Sequence, residues 1–255
     1  MKVHILGCSG GIGGRHIRTT AIQVDHDIAI DCGTGFGDLS IAELAQINHV
    51  FLTHSHLDHI ACLPMLLDTV GDMRGKPLTV YATAATIEIL RTHIFNWAIW
   101  PDFAEIPSPE HPYLRFETIR VGKATEIGGR RITALPANHT VPAVGYQLDS
   151  GQASLVFTGD TGPCPALWQA VNKIRNLRYL IIETAFSDRE RKLANMSKHL
   201  CPVLLAEELR CLERTAEIYI THLKPGQVEL TMQEIEDGIG EYKPRMLQNY
   251  QVFEF

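Results

Sequence analysis

Short apolar runs punctuate this chain, and several of them end in a residue able to bind a metal or move a proton. Residues 3–6, 21–24, 27–33, 49–52, 78–82, 132–135, 144–148, 154–158, 179–182 and 217–221 are rich in Val, Ile, Leu, Tyr and Phe. They are too short for helices and read as strands, either alternating or buried on both faces. Residues 41–47, 86–95 and 168–174 carry helical periodicity. The pattern breaks between 95 and 116, where Phe95, Trp97, Trp100, Phe103, Tyr113 and Phe116 sit among Pro101, Pro107, Pro109 and Pro112. Prolines prevent a long helix, so a structured loop is expected there. Its aromatics have three uses open to them: packing on the body, walling a substrate, or forming a homodimer contact through Trp97–Phe103.

The run at 49–52 leads into Thr53-His54-Ser55-His56-Leu57-Asp58-His59. A solvated loop has no reason to gather imidazoles. In an extended or turning segment, residues two apart share a side, so His54 and His56 can grip one metal ion. Asp58 and His59 follow near the start of a helix, point elsewhere, and can grip a second ion. Imidazole nitrogen and carboxylate oxygen suit zinc, iron and similar ions.

The first strand is followed by Gly7-Cys8-Ser9-Gly10-Gly11-Ile12-Gly13-Gly14. Gly7-x-x-x-Gly11-Ile12-Gly13 matches the dinucleotide loop of short-chain dehydrogenases, but that loop opens a helix. Here two strands follow, joined at Asp25-His26-Asp27 as a hairpin, and the chain has no Tyr-x-x-x-Lys. A tight turn near the floor of the site is the better use of these glycines.

Composition bounds the rest. At 255 residues and 45% hydrophobic content the chain has material for one compact domain of sandwich or α/β type. The formal net charge of −6 argues against a broad nucleic-acid or anionic-membrane surface. Six scattered cysteines without a C-x-x-C pair suggest free thiols in a reducing compartment. No run approaches a membrane span and the start is unlike a signal peptide, so a cytoplasmic location is expected.

The string His54-x-His56-x-Asp58-His59 resembles the signature of the metallo-β-lactamase superfamily. The resemblance implies a four-layer αββα sandwich and a site for two metal ions. Asp31-Cys32-Gly33 is similar to that superfamily's early Asp-x-Gly turn, whose aspartate usually steadies a ligand histidine; a turn-capping aspartate is the alternative. Each remaining candidate follows a strand. His139 is the third histidine expected for the ion of His54 and His56. His222 is expected to close the group of Asp58 and His59. Asp160, in Gly159-Asp160, can bridge the two, because the glycine clears space for a carboxylate between cations. Two such ions, zinc first and manganese or iron next, can share and acidify a water, giving a bridging hydroxide at neutral pH.

Within the superfamily, Glu183-Thr184-Ala185-Phe186 with Ser197-Lys198-His199-Leu200 resembles the later motifs of class II 3′,5′-cyclic nucleotide phosphodiesterases. The segment from His93 to Phe103 and His222-Leu223-Lys224-Pro225 agree, whereas Ala61 stands where that class expects glycine. The resemblance implies a small cyclic nucleotide as substrate, with His199, Glu183 and Asp58 as catalytic residues. His199 would protonate the leaving oxygen, and Glu183 would orient it; a purely structural Glu–His pair is the alternative. Lys198 either contacts phosphate or is solvated. The rivals are the tRNA 3′-processing nuclease branch, which needs a basic arm not visible here, a hydrolase of another small diester or thioester, and an inactive metal-binding scaffold.

Overall fold

The computed structural model describes residues 1–255. Its first half runs β1 (Lys2–Gly7), β2 (Ala21–Val24), β3 (Ile28–Ile30), α1 (Ile41–Gln46), β4 (His49–Phe51), α2 (Leu57–Ile60), α3 (Cys62–Val70), β5 (Leu78–Ala82), α4 (Ala84–His93) and β6 (Leu114–Thr118). The second half runs β7 (Ala124–Ile127), β8 (Arg130–Pro136), β9 (Val144–Asp149), β10 (Ser154–Phe157), α5 (Pro165–Val171), β11 (Leu177–Glu183), α6 (Arg191–Ser197), α7 (Pro202–Leu209), β12 (Glu217–Thr221), α8 (Val228–Ile239), β13 (Arg245–Met246) and β14 (Val252–Glu254). One sheet has the order β14-β1-β2-β3-β4-β5-β6 and the other β13-β12-β11-β10-β9-β8-β7.

Strand periodicity explains the layers. Successive strand residues face opposite sides, and both sides here are apolar. Phe51, Leu155, Phe157 and Ile181 point between the sheets, where they pack with Ile5, Ile22, Tyr146 and Phe253. Their neighbours face outward: Val50 packs with Leu63 and Leu67 of α3. Val156, Leu180 and Ile182 pack with Trp168, Leu205 and Ile235 of α5, α7 and α8. Two sheets with helices on both outer faces make the expected αββα sandwich.

Local chemistry starts the helices. Ser40 and Glu43 form a reciprocal capping box on α1. Thr83 caps α4 by accepting from the Thr86 N–H. Proline opens α5 and α7, where a missing N–H costs nothing.

Several expectations need correction. Pro165 starts α5 ahead of the expected 168–174. The aromatic segment ends in a strand: β6 pairs parallel with β5, bringing Phe116 opposite Val80. Phe95 and Phe103 are buried and pack on the body, so for them the packing use holds, while Trp97 and Ile99 are 62% and 66% exposed. No sequence expectation covered β7, α6, α7, α8, β13 or β14. The chain's end returns to pair antiparallel with β1. No helix is long and apolar enough to cross a membrane.

Candidate metal centre

Strand direction gathers the site. β8 and β10 each run antiparallel to β9 and so run the same way, and β11 and β12 continue parallel to β10. Their carboxyl ends therefore share one edge. There β8 leads to His139, β10 to Asp160, β11 ends in Glu183, and β12 leads to His222. In the other sheet β4 leads to His54 and His56, and α2 carries Asp58 and His59. All seven residues expected to hold metal meet. His54, His56, His139 and Asp160 form one group and Asp58, His59, Asp160 and His222 the other, with ligand atoms within 4.8 Å of one another in each. Asp160 belongs to both groups.

The geometry around Asp160 is close. Its Oδ2 lies 3.3 Å from His59 Nε2, 3.7 Å from His54 Nε2 and 4.0 Å from His139 Nε2. Its Oδ1 lies 3.3 Å from His222 Nδ1. Asp58 Oδ2 is 3.7 Å from His222 Nε2 and 3.9 Å from His59 Nε2.

The residues fit metal ions. His54 Nε2, His59 Nε2 and both ring nitrogens of His222 are buried without a hydrogen-bond partner. Protein interiors rarely leave polar atoms so, and lone pairs turned on a common space are what a cation satisfies. The opposite ring edges are occupied. His59 Nδ1 donates to Asp31 Oδ2 at 2.7 Å, and His139 Nδ1 donates to the Lys198 carbonyl at 3.0 Å. His54 Nδ1 donates to Thr53 Oγ1 at 2.9 Å, and that hydroxyl donates to Asp31 Oδ2 at 2.7 Å. Placing the proton on Nδ1 leaves Nε2 free as an electron-pair donor. Asp31 thus steadies a candidate ligand, the reading favoured by the superfamily resemblance, and accepts the Thr53 N–H as well at 2.7 Å.

Burial sets the charges. It pushes His139 down to about 4 and His222 to about 3, and holds His54 well below the ordinary imidazole value. Neutral imidazoles need no proton removed before they bind a cation. Burial also disfavours a charge on His59, but the carboxylates of Asp160 and Asp31 outweigh it and hold that imidazole well above its usual value. Burial would raise Asp160, yet the imidazoles of His222, His59 and His54 hold it well below the usual carboxylate range.

Beside this cradle lies the Glu183–His199 pair. His199 Nδ1 donates to Glu183 Oε1 at 2.7 Å. Glu183 also accepts from the N–H groups of Thr161 and Leu200. Burial opposes a charge on His199, but Glu183 and then Asp160 raise its affinity for a proton. The His199 ring stacks on His222 at 5.2 Å between centroids and meets His139 edge-on at 4.9 Å.

Sequence reasoning missed Thr53 as an anchor, and it placed the glycine loop near the floor of the site without giving Gly10 its particular use. Gly10 serves a close approach. A Cβ there would stand 2.4 Å from the His222 carbonyl oxygen and 2.9 Å from its ring Cδ2. The loop is stitched to the His222 segment by His222 N–H to Cys8 O at 2.8 Å and Gly10 N–H to Leu223 O at 3.1 Å. Lys224 Nζ adds a bond to Gly10 O. The nearest sequence signal was the run of glycines itself.

Comparison with known proteins agrees with this architecture. The pattern of the Beta-lactamase superfamily domain matches residues 26–235. A probable 3′,5′-cyclic-nucleotide phosphodiesterase of Yersinia pestis is 28% identical over 206 residues, covering 71% of this chain and 58% of that protein. This match therefore spans little more than half of the relative. A ribonuclease Z of Prochlorococcus marinus (strain MIT 9215) is 25% identical over 284 residues, covering 88% of each chain. Unliganded yeast PDE1 shares the fold with a TM-score of 0.81, over 100% of this chain and 99% of that one, at 18% identity. With most of its length matched and both sheets and the histidine edge in place, this chain belongs to the metallo-β-lactamase superfamily.

Proposed function

We propose that this chain is a dinuclear metallohydrolase that opens 3′,5′-cyclic nucleotides, cyclic AMP or cyclic GMP, to 5′-nucleotides. The observation that carries the hydrolytic part of the reading is the Glu183–His199 pair, 2.7 Å long and set against His139 and His222 at the edge of the cradle, a pair that the resemblance gives to the tRNA-processing branch as well. A family member built only to bind metal has no need of a charged, oriented imidazole there. The relatives from Yersinia pestis and Aliivibrio fischeri, named as a probable 3′,5′-cyclic-nucleotide phosphodiesterase and a 3′,5′-cyclic-nucleotide phosphodiesterase, support it.

His54, His56, His139 and Asp160 would hold one divalent ion, and Asp58, His59, His222 and Asp160 the other. The nitrogen-rich set suits zinc, with manganese or iron as alternatives. When bound, such a pair neutralises phosphate oxygens and acidifies a water. The chain's own residues supply the rest. His199, its Nδ1–H fixed on Glu183, turns its other ring edge to the departing 3′ oxygen and gives it a proton. Glu183 keeps that imidazole charged and oriented. Asp58, whose side chain is 28% exposed, is the carboxylate of the second group that reaches the solvent side and can accept a proton from the attacking water. The same reading includes a homodimer through Trp97–Phe103, supported by the exposure of Trp97 and Ile99 and tested by sedimentation at two concentrations.

A second reading is a tRNA 3′-processing endonuclease. It is favoured by the ribonuclease Z relative, which matches 88% of this chain. Metal analysis followed by assay against cyclic AMP, cyclic GMP and a precursor tRNA separates the two. Turnover of cyclic nucleotides is the expected result. Cleavage of precursor tRNA with no hydrolysis of either cyclic nucleotide would replace the first reading by the second.

A further inference from the structure

We infer that Lys198 is a positioning residue that locks the candidate ligand His139 and the proposed proton donor His199 into one unit. The inference rests on the functional reading above for the roles of those two histidines.

The observations are geometric. Lys198 closes α6 in a left-handed conformation, with φ 53° and ψ 53°, and its N–H caps the Ala194 and Asn195 carbonyls. That turn aims its carbonyl at the ring of His139, which donates Nδ1–H to it at 3.0 Å. The side chain returns to the same residue: Lys198 Nζ donates to the His139 carbonyl at 3.0 Å. Two residues 59 positions apart thus hold each other by ring and by main chain. Gly162 backs the turn closely, since a Cβ there would stand 3.3 Å from Lys198 Cα. The next residue along is His199, whose own N–H is tied to Ala194 O at 2.9 Å. Any shift of this turn therefore moves the His139 acceptor and the His199 ring together.

The residue type supports the same conclusion. A left-handed position favours glycine, because a side chain is strained there. Lysine at this position makes sense if its ammonium is used, and the structure spends it on the His139 carbonyl. The ammonium has three donors, and the one that is paired goes to the His139 carbonyl. The ring contact sets the tautomer of His139 through a backbone carbonyl. The ammonium contact then keeps the loop carrying His139 from swinging away.

The test compares wild type, Lys198→Met and Lys198→Gly, each loaded with zinc. Zinc is titrated against a competing chromophoric chelator, and kcat and KM are measured on cyclic AMP. Lys198→Met removes the ammonium and keeps the bulk; Lys198→Gly removes it while relaxing the turn, so folding trouble in one is checked by the other. One of the two zinc ions should bind at least about tenfold more weakly in both variants, with kcat reduced and KM within about twofold of wild type. Unchanged affinity for both ions in the two variants would overturn the inference. So would a large rise in KM with zinc binding intact, which would make Lys198 a phosphate contact. Should wild type hydrolyse no cyclic nucleotide, the functional reading fails, while the zinc titration still decides whether the clasp orients His139.

Discussion

The Nδ1 of His199 lies 2.7 Å from Glu183 Oε1, and Glu183 is wholly buried. The pair joins the end of β11 to the turn after α6, and Glu183 is itself held by the N–H groups of Thr161 and Leu200. Truncating His199 removes the proposed proton donor and leaves all seven candidate ligands in the sequence, although its ring packs on two of them, His222 and His139. His199→Ala should lower kcat on cyclic AMP by about 10²–10⁴-fold with two ions per chain retained. Wild-type turnover by this variant refutes the role.

The same pair sets a pH dependence. Burial disfavours the imidazolium, but Glu183 outweighs it and raises the His199 pKa. The protonated imidazole therefore persists to higher pH than an ordinary one, and with His199 as the proposed donor, activity should fall on the alkaline side as that proton is lost. Glu183→Gln removes the charge that raises the pKa, so the alkaline limb of kcat against pH should move to lower pH. A limb that stays in place assigns it to another group.

Asp31 holds His59 at 2.7 Å and both the backbone and hydroxyl of Thr53, which in turn orients His54. One carboxylate thus reaches a candidate ligand in each ion group. Asp31→Asn should weaken metal binding about 10- to 100-fold, read by chelator competition. Affinity equal to wild type would reduce Asp31 to a turn residue.

Gly10 leaves no room for a side chain against His222. The atoms a Cβ would meet are the His222 main chain and ring, so Gly10→Ala must displace that residue. The expected outcome is loss of the ion that Asp58, His59 and His222 would hold, with the other ion retained, measured as metal per chain. Two ions bound as tightly as in wild type would show that the loop yields without disturbing His222.

Away from the site, Arg130 clamps the β2–β3 turn to β8, bonding Asp27 through both of its outer nitrogens and Asp25 at 3.0 Å. Burial alone would raise the Asp27 pKa, but the guanidinium holds it below the usual carboxylate range. A depressed carboxylate stabilises the fold above its unfolded pKa of about 4 and loses that contribution as pH falls through the lower folded value. Asp27→Asn should melt about 2–4 °C below wild type at pH 7, the shift expected for about 1 kcal/mol in a chain of this size. The gap should narrow below about pH 4. A gap constant from pH 7 to pH 3 would assign the loss to packing.

The sequence by itself, read with its family resemblance, determined which residues are the candidate ligands and most of the elements that carry them. His54, His56, Asp58 and His59 lie within six positions, and the runs before His139, Asp160 and His222 have the composition of buried strands. Such signals are local: a strand period or a short spacing survives without knowledge of the fold. The tertiary structure decided what depends on directions and approaches between distant segments. Only the common direction of β8, β10, β11 and β12 brings His139, Asp160, Glu183 and His222 to one edge. Only packing gives Thr53 and Asp31 control of two ring tautomers, makes Gly10 a matter of clearance, and turns Lys198 back onto His139. A hydrogen bond across 59 residues or a missing Cβ against a ring has no period along the chain, so no pattern of hydrophobic and polar positions records it.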